Sequence, residues 1–509
     1  IPWSDWVPPL LSWGALFVAA WLLMIGLGMI VYPQWRDNER LPFPILHLEQ
    51  GLIGDITAEK RIPAIFKDKL FWVGAGLVLF IYGLRGLNAL TDNAWPSFPL
   101  GWNLSDALSE EPWRHLPGRV KHVGKLYFML IGITYFMPNR VSFSIWFTTL
   151  AYGVFQMLNT TYAPPFDSAM VSNHRHGANL AIGFMVLYTG RHHWLKVARS
   201  MVNPVLNDED SRNRRAGWLF TIGWTAMMAW LMWVGISPLW ALALVFICFI
   251  CCLVIARIVA ETGLPFVRIT AIQPSWLVGI FPGGMITAPL IYIAGFLTMI
   301  FTMASRISPA AMMPHAMGMD TEGTAAQQRR LPSILIPLMI IGLLIAGATH
   351  LSFSYTHFGS IDGRELTSDH WGVNLLNGAE SKMLAWSRDA HQAITPKAVG
   401  QVVTGGVMAV GLALACLSSA AWPLHPIGLL MVGGFYAQIG WASVFVGWCL
   451  KMLVLRYGGA GVYKKLRNLF IGLILGELFA AVMWTSIPVI LILLGADPAA
   501  GSSKATAVG

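Results

Sequence analysis

The chain has 509 residues, of which 56% are hydrophobic and only 12% are charged, and it carries a formal net charge of +9. Soluble globular proteins contain about 25% charged residues, so the composition excludes an ordinary soluble domain and predicts an all-α polytopic membrane protein. The basic excess implies no nucleic-acid partner, because membrane proteins collect Lys and Arg in cytoplasmic loops. The sequence shows no phosphate-binding glycine loop and no nucleophile–base pair, so we predict neither an enzyme nor a cofactor or metal site.

Twelve apolar stretches are predicted as membrane spans from their length and flanking charges. Two of them, 126–138 and 177–190, are too short to cross alone, which is typical of the broken helices in secondary transporters. We divide the chain into a first membrane half, 1–235, and a second half, 236–509, which contains the polar loop 357–398. The twelve stretches are 9–32, 70–90, 126–138, 141–158, 177–190, 217–235, 238–260, 286–303, 333–354, 399–420, 427–449 and 467–494.

The distribution of Lys and Arg predicts the orientation of the loops. Loops 33–69, 191–216 and 450–466 are basic and fall on one side, which we predict to be cytoplasmic. Loop 91–124 is rich in Trp, Pro and acidic residues and falls on the opposite side. Parity places loop 357–398 inside, although its charge does not decide the side. These features predict a multi-pass protein in the cytoplasmic membrane.

The first basic loop contains the tetrapeptide Leu41-Pro42-Phe43-Pro44. We expect its prolines to prevent a regular helix from starting there, because proline lacks a backbone N–H and restricts the preceding residue. The apolar residues between Ile45 and Ile53 then predict an amphipathic helix on the membrane surface.

A short apolar piece beginning at 126 stops at Pro138-Asn139-Arg140, and a second piece starts at once. This pattern predicts a helical hairpin with a polar tip. Residues 425–456 repeat the pattern loosely, with a glycine-aromatic piece followed by a piece rich in Ser, Phe and Trp. We therefore predict that 125–158 and 425–456 form related hairpins of a short helix, a break and a long helix, one from each half, which meet near the membrane midplane.

Two charged side chains follow a long uncharged run. Arg257 and Glu261 lie one helical turn apart, Thr262 comes next, and Gly263 and Pro265 break the helix. Charged residues at membrane depth are costly and usually face a bundle interior or a wet cavity, and a helix is broken there only where the backbone lines protein or water. One reading is the lining of a transport pathway, in which Arg257 holds an anionic group or pairs with Glu261. The other is an ordinary surface i,i+4 pair at a helix end.

Glu477 lies inside an otherwise apolar stretch. It is either a functional carboxyl or a structural hydrogen-bonding group at a helix contact that Gly472 and Gly476 allow.

The remaining polar clusters give weaker signals. His174, His176, His192 and His193 flank a short span and are expected to be interfacial. The Met- and His-containing segment 312–320 is expected to be a mobile loop rather than a Cu(I) site. The five cysteines lie in apolar runs, which predicts buried apolar residues rather than metal ligands.

Several of these motifs resemble those of the oligopeptide transporter superfamily, which includes the yellow-stripe-like metal–chelate carriers. The chain departs from the superfamily at two positions. Ile45 stands where an acidic or glycine residue often follows Leu-Pro-Phe-Pro, and Leu264-Pro265 stands where the superfamily has Asn-Pro. The segments W-P-L-H-P-I-G and L-R-Y-G-G-A-G-V-Y are similar to a prokaryotic branch of unknown function. The resemblance is carried by L-P-F-P at 41–44, G-I-T-Y-F-M-P-N-R-V-S at 132–142, A-R-I-V-A-E-T-G-L-P at 256–265 and G-L-I-L-G-E at 472–477.

The resemblance implies about sixteen spans in two related halves, so spans upstream of this sequence are expected, together with proton-coupled uptake of peptides or metal chelates. We therefore expect a secondary transporter for a small peptide, a metal chelate or a related organic solute. Glu261 or Glu477 would carry the coupling proton, and the hairpin tip at 138–140 would line the path. The alternative is a non-transporting integral subunit or scaffold of a larger membrane complex. Homo-oligomers or complex partners fit either reading.

Overall fold

The computed structural model is helical almost throughout the part of the chain that it describes, which confirms the all-α prediction. The only regular strands in that part are β1 (Trp102–Asn103) and β2 (His122–Val123), which form one antiparallel ribbon. The described residues are 1–53, 63–91, 94–123, 125–163, 169–264, 267, 269, 277, 281, 283–302, 308–319, 325–356 and 396–493. The expectations for loop 357–398 and for Pro265 therefore lie almost wholly outside the described residues.

The helices follow one another closely, with short connections. In chain order they are α1 (Trp3–Pro33), α2 (Pro44–Ile53), α3 (Lys69–Leu90), α4 (Gly118–Lys121), α5 (Phe128–Phe136), α6 (Asn139–Tyr162), α7 (Ala169–Thr189), α8 (Arg191–Val202), α9 (Asp208–Trp233), α10 (Pro238–Thr262), α11 (Ala288–Thr302), α12 (Pro309–Gly318), α13 (Ala325–Thr356), α14 (Pro396–Ser418), α15 (Pro426–Met431), α16 (Phe435–Leu453) and α17 (Gly459–Leu493). Short 3₁₀ turns lie at Ala64–Lys67, Trp113–His115 and Gly283–Met285, and π-helical turns at Gln34–Asn38 and Val454–Gly458.

Among the described residues, seven helical stretches are long and apolar enough to cross a membrane, so the chain has the character of a multi-pass membrane protein. Within the described residues, the twelve predicted apolar stretches lie mainly on helices, but the count of twelve spans stays a prediction. The difference arises partly because some stretches are short or broken, such as the nine-residue α5. The seven are Trp3–Asn38, Lys69–Ala89, Asn139–Tyr162, Pro238–Thr262, Ala325–Ser352, Pro396–Ser418 and Ile439–Ile487.

Two predicted loops are different in the structure. Residues 450–466 are not a loop, because α16 passes through a π-helical turn directly into α17. The α-helix α17 begins at Gly459, whose φ of +64° suits glycine.

The amphipathic helix predicted within the first basic loop is present as α2, but it begins at Pro44 itself. The expectation that the prolines prevent a helix start was wrong there, because a helix tolerates proline in its first turn, where the N–H has no intrahelical partner.

The chain forms two compact units that are interleaved in sequence. The first unit consists of Ile1–Leu41, Ala169–Ala260 and Pro265–Gly411, and the second of Pro42–Ser168, Glu261–Leu264 and Leu412–Gly509. The division of the chain into two related halves, 1–235 and 236–509, stays a prediction.

In the first unit, α7 is longer than the predicted span 177–190, because its polar N-terminal turns are buried in protein. His174 and His176 are 3% and 4% exposed, and their expected position at the membrane interface stays a prediction. Asn173 Nδ2 donates to Gln401 Oε1 on α14 at 2.7 Å, and the backbone of α14 also approaches Gly177 closely. Packing against α14 thus gives this polar stretch a protein environment in which it remains helical.

The Met- and His-containing segment also differs from its prediction. Residues Pro309–Gly318 form the buried helix α12 instead of a mobile loop. This helix packs on α1, where a Cβ added to Gly28 would lie 2.5 Å from the Met313 Cβ. The burial of Met313 and Met317 against apolar neighbours explains why the segment is helical.

In the second unit, α17 packs along α3, and both contact α5. Tyr135 of α5 stacks between Tyr463, at a ring-centroid distance of 4.6 Å, and Phe470, at 3.8 Å. A Cβ added to Gly476 would lie 2.9 Å from the Ala75 Cα, and Gly472 approaches the α3 backbone just as closely. The two glycines therefore permit the close helix contact that the sequence predicted.

Candidate functional site

Two interrupted helical segments of the second unit occupy the positions of the two predicted hairpins, and we keep that name for them. The first hairpin consists of α5, a break at Met137–Pro138 and α6. The second hairpin consists of α15, a break at Val432–Gly434 and α16. Each has the short helix, break and long helix that the sequence predicted.

The hairpins pack on each other in a reciprocal way. The short helix α5 lies against the long helix α16, and the short helix α15 lies against the long helix α6. Glycines make both approaches close: a Cβ on Gly447 would lie 2.8 Å from the Thr134 Cβ, and a Cβ on Gly428 would lie 2.9 Å from the Ser144 Cβ. Each hairpin therefore supports the short helix of the other.

The same reciprocity holds for hydrogen bonds at the start of the short helices. The N-cap residue of α5, Tyr127, donates its backbone N–H to Ser443 Oγ on α16 at 2.9 Å. The N-cap residue of α15, His425, donates its backbone N–H to Ser144 Oγ on α6 at 2.6 Å. Equivalent atoms of the two hairpins thus make equivalent bonds, which supports the prediction that they are related.

Charged side chains from neighbouring helices hold both ends of α5. At its N-terminus, Glu477 accepts hydrogen bonds from the Met129 backbone N–H at 2.6 Å and from the Tyr82 hydroxyl at 2.5 Å. At its C-terminus, the Lys451 ammonium donates to the Met137 carbonyl oxygen. A carboxylate at the N-terminus and an ammonium at the C-terminus both complement the helix dipole and bind backbone groups that have no partner within the helix. Glu477 thus makes the structural hydrogen bonds at a helix contact that one of its two sequence readings expects.

A third charged group lies beside this carboxylate. The Lys125 ammonium lies 4.8 Å from the Tyr82 ring centroid and 5.4 Å from that of Tyr127. Burial lowers the pKa of Lys125, and the charge of Glu477 opposes that shift. The pair of opposite charges adds to the anchoring of α5.

Glu261 lies beside the start of the other short helix. It is 8% exposed at the end of α10, and its Oε2 lies 3.6 Å from His425 Nε2. His425 Nδ1 accepts the backbone N–H of Ile427 at 3.3 Å, as an N-cap. A ring nitrogen that accepts a hydrogen bond carries no proton, so His425 is assigned as the neutral tautomer with its proton on Nε2, towards Glu261. The sequence offered no local signal for this pair.

The helix break after Glu261 brings two of the sequence motifs together. α10 ends at Thr262, whose Oγ1 accepts the Leu264 backbone N–H at 3.1 Å. Gly263 has a φ of +69°, and a Cβ there would lie 2.7 Å from the Pro44 Cβ. Phe43, just before that proline, also has a positive φ, of 40°, which is a strained value for an aromatic residue. Strained backbone of this kind concentrates at functional sites.

We expect Gly263→Ala to destabilise the second unit. The left-handed conformation costs an L-residue about 1–2 kcal/mol, and the contact with Pro44 adds to that cost. Thermal unfolding of the purified protein measures the effect. Gly76→Ala is the matched control, because a Cβ on Gly76 in α3 meets nothing within 4 Å. A Gly263→Ala melting temperature equal to that of the control would show that the junction has room for a side chain.

The polar tip of the first hairpin has two distinct environments. The Arg140 guanidinium donates to the Cys416 carbonyl oxygen, in the last turn of α14, at 3.4 Å. It also donates to the Ala420 carbonyl oxygen, just beyond that helix, at 2.6 Å. Asn139, the first residue of α6 after Pro138, has a buried Oδ1 with no hydrogen-bond partner among the described residues. Arg140 therefore binds backbone carbonyls, while Asn139 offers an acceptor at the hairpin tip.

Arg257 has a partner that the sequence did not predict. In the first unit its guanidinium forms an ion pair with the Glu39 carboxylate and lies 5.5 Å from the ring centroid of Trp35. Glu39 is 218 positions away in the chain, so helical spacing could not show the pair. The Leu41 backbone N–H donates to the Trp35 carbonyl at 2.9 Å, which fixes the chain that carries Glu39.

Metal ligation has no support in the described part of the chain, where His, Cys, Asp and Glu form no group of three or more. Cys248, Cys251 and Cys252 are free and fully buried, as predicted, whereas Cys416 and Cys449 are only partly buried.

Residues 1–495 match the family described as Family of unknown function (DUF6785), and the chain belongs to that family. No curated protein matches the sequence.

Proposed function

We propose that this protein is a secondary transporter in the cytoplasmic membrane of a prokaryote, driven by a proton gradient. Its solute would be a small peptide, a metal chelate or a related organic molecule. The observation that carries the proposal is the Glu261–His425 pair, which lies where a short helix of the crossed hairpins begins.

The reciprocal packing of two interrupted hairpins favours transport over a purely structural membrane role. Interrupted helices expose backbone groups that the bilayer cannot satisfy, so they occur where chain lines protein or a cavity. Secondary transporters use paired, discontinuous helices of this kind from two related repeats to build solute sites. The reciprocal serine bonds to Tyr127 and His425 support such a repeat.

The charges favour proton coupling through Glu261. Both carboxylate oxygens of Glu477 accept hydrogen bonds that hold α5, so a proton added there would weaken the support of that helix. Glu261 instead faces an imidazole, a group that changes charge in the physiological pH range. A carboxylate and an imidazole together can take up and release one proton. The sequence contains no nucleotide-binding loop that would point to another energy source.

The choice of solute class rests on the resemblance of the Leu41–Pro44, 132–142, 256–265 and 472–477 motifs to the oligopeptide transporter superfamily. The buried acceptor of Asn139 at the hairpin tip is compatible with a polar organic solute. The two departures from the superfamily motifs, Ile45 and Leu264, affect this choice more than they affect the fold.

The proposal is tested with purified protein in liposomes that carry an imposed pH gradient. A panel of di- and tripeptides, metal chelates and free amino acids is supplied outside, and accumulation is measured. We expect at least one solute to accumulate only when the gradient is present. If nothing on the panel moves and the protein purifies with stoichiometric partners, it is instead a subunit or scaffold of a larger membrane complex.

A further inference from the structure

We infer that His425 is the switch that connects proton binding to the second hairpin: a proton taken up at Nδ1 removes the N-terminal cap of α15. This inference rests on the proposed proton-coupled function. It identifies the start of α15 as the segment that responds to the proton. The geometry of the cap carries it.

The cap and the proton compete for one nitrogen atom. His425 Nδ1 accepts the Ile427 backbone N–H at 3.3 Å. Imidazolium carries protons on both nitrogens and accepts no hydrogen bond. When Nδ1 takes a proton, the bond from Ile427 must break, while the new positive charge is balanced by the Glu261 carboxylate 3.6 Å from Nε2. One proton is gained, one hydrogen bond is lost and one ion pair is formed.

The first backbone N–H of the short helix depends on this cap. α15 has only six residues, and isolated helical segments of such length are unstable without external support. Pro426, its first residue, has no backbone N–H, so Ile427 is the first residue of α15 with an N–H that can be capped. Loss of the cap therefore exposes the start of α15, while the His425 backbone bond to Ser144 Oγ can remain.

Three elements bring titratable or charged side chains near the start of α15. Glu261 approaches from the end of α10. From α6, Arg140 is engaged with the carbonyl oxygens of Cys416, Ser419 and Ala420. From the end of α14, Cys416 donates its thiol to the Leu424 carbonyl at 3.0 Å. Glu261 is thus the acidic group that the structure places against the imidazole among the described residues.

The first hairpin lacks such a switch. Its N-cap residue, Tyr127, makes no side-chain cap, and Glu477 holds the start of α5 instead. The same fold thus contains one fixed short helix, α5, and one short helix, α15, whose cap responds to a proton.

Hydrogen–deuterium exchange of the peptide that contains Ile427 tests the inference without any transported solute. After correction for the intrinsic pH dependence of exchange, we expect the wild-type protein to lose protection about fivefold between pH 8 and pH 5, the factor that a typical N-cap hydrogen bond represents. His425→Asn keeps an N-cap oxygen but takes up no proton, so its protection should not change with pH. Equal protection of the wild-type protein at both pH values would overturn the inference.

Two further variants separate the roles of the pair. His425→Ala lacks the cap and should show low protection at both pH values. Glu261→Gln removes the charge that stabilises imidazolium, so its loss of protection should occur at lower pH than in the wild-type protein. A Glu261→Gln response identical to that of the wild type would contradict the assigned ion pair.

If liposome transport succeeds but His425→Asn exchange still depends on pH, the switch is wrong while the transporter stands. If the exchange results hold and no solute moves, the transport proposal fails alone.

Discussion

Replacing Glu261 with Gln is expected to abolish proton-driven accumulation while the protein remains folded. Gln keeps the shape of the side chain and an oxygen that can face His425 Nε2, but it lacks the negative charge that holds a proton on the Glu261–His425 pair. A gradient of one pH unit represents about 1.4 kcal/mol per proton, so a carrier that moves one proton per solute can accumulate solute about tenfold. The variant should reach only the equilibrium ratio of about one.

Two controls identify the defect as a loss of coupling. Exchange of labelled for unlabelled solute across liposomes without a pH gradient should persist in Glu261→Gln, because exchange needs the solute path but no net proton movement. Glu209→Gln removes an exposed carboxylate on α9 that pairs with Lys196 at 2.7 Å, and it should accumulate solute like the wild-type protein. Wild-type accumulation by Glu261→Gln would remove this carboxylate from the mechanism.

Replacing Glu477 with Leu should damage folding severely, whereas Glu477→Gln should be tolerated. Leu leaves the Met129 N–H and the Tyr82 hydroxyl without their acceptor, and each buried group that loses its partner costs about 1–3 kcal/mol. Gln can still accept from Met129 and can donate to the Tyr82 oxygen. We therefore expect Glu477→Leu to lower the free energy of unfolding by about 2–5 kcal/mol, which reversible denaturation in detergent measures.

Transport by the Gln variant distinguishes the two buried carboxylates, Glu261 and Glu477. Glu477→Gln should accumulate solute in a pH gradient, in contrast to Glu261→Gln. Tyr82→Phe removes one of the two bonds to Glu477 and should lose about 1 kcal/mol of stability. Should Glu477→Gln fold normally and fail to accumulate solute, Glu477 would be the coupling carboxyl and the structural assignment would be incorrect.

The sequence by itself indicated the long apolar helices and the breaks within the two hairpins. Apolar runs predict helices wherever burial or lipid favours them, and the helix ends at Gly263 and Pro138 follow from local backbone chemistry, namely a left-handed glycine and a proline. The short–break–long pattern of both hairpins was visible for the same reason.

Only the tertiary structure decided which charged groups meet. Arg257 binds Glu39, 218 positions away, and Glu477 binds Tyr82 and Met129, which are 395 and 348 positions away. Such pairs have no sequence periodicity, because they form only after separate helices pack. Packing also keeps the polar turns of α7 helical and buries His174 and His176, because α14 covers them. The pairing of His425 with Glu261 is of this kind, since it exists only where α10 ends beside the start of α15.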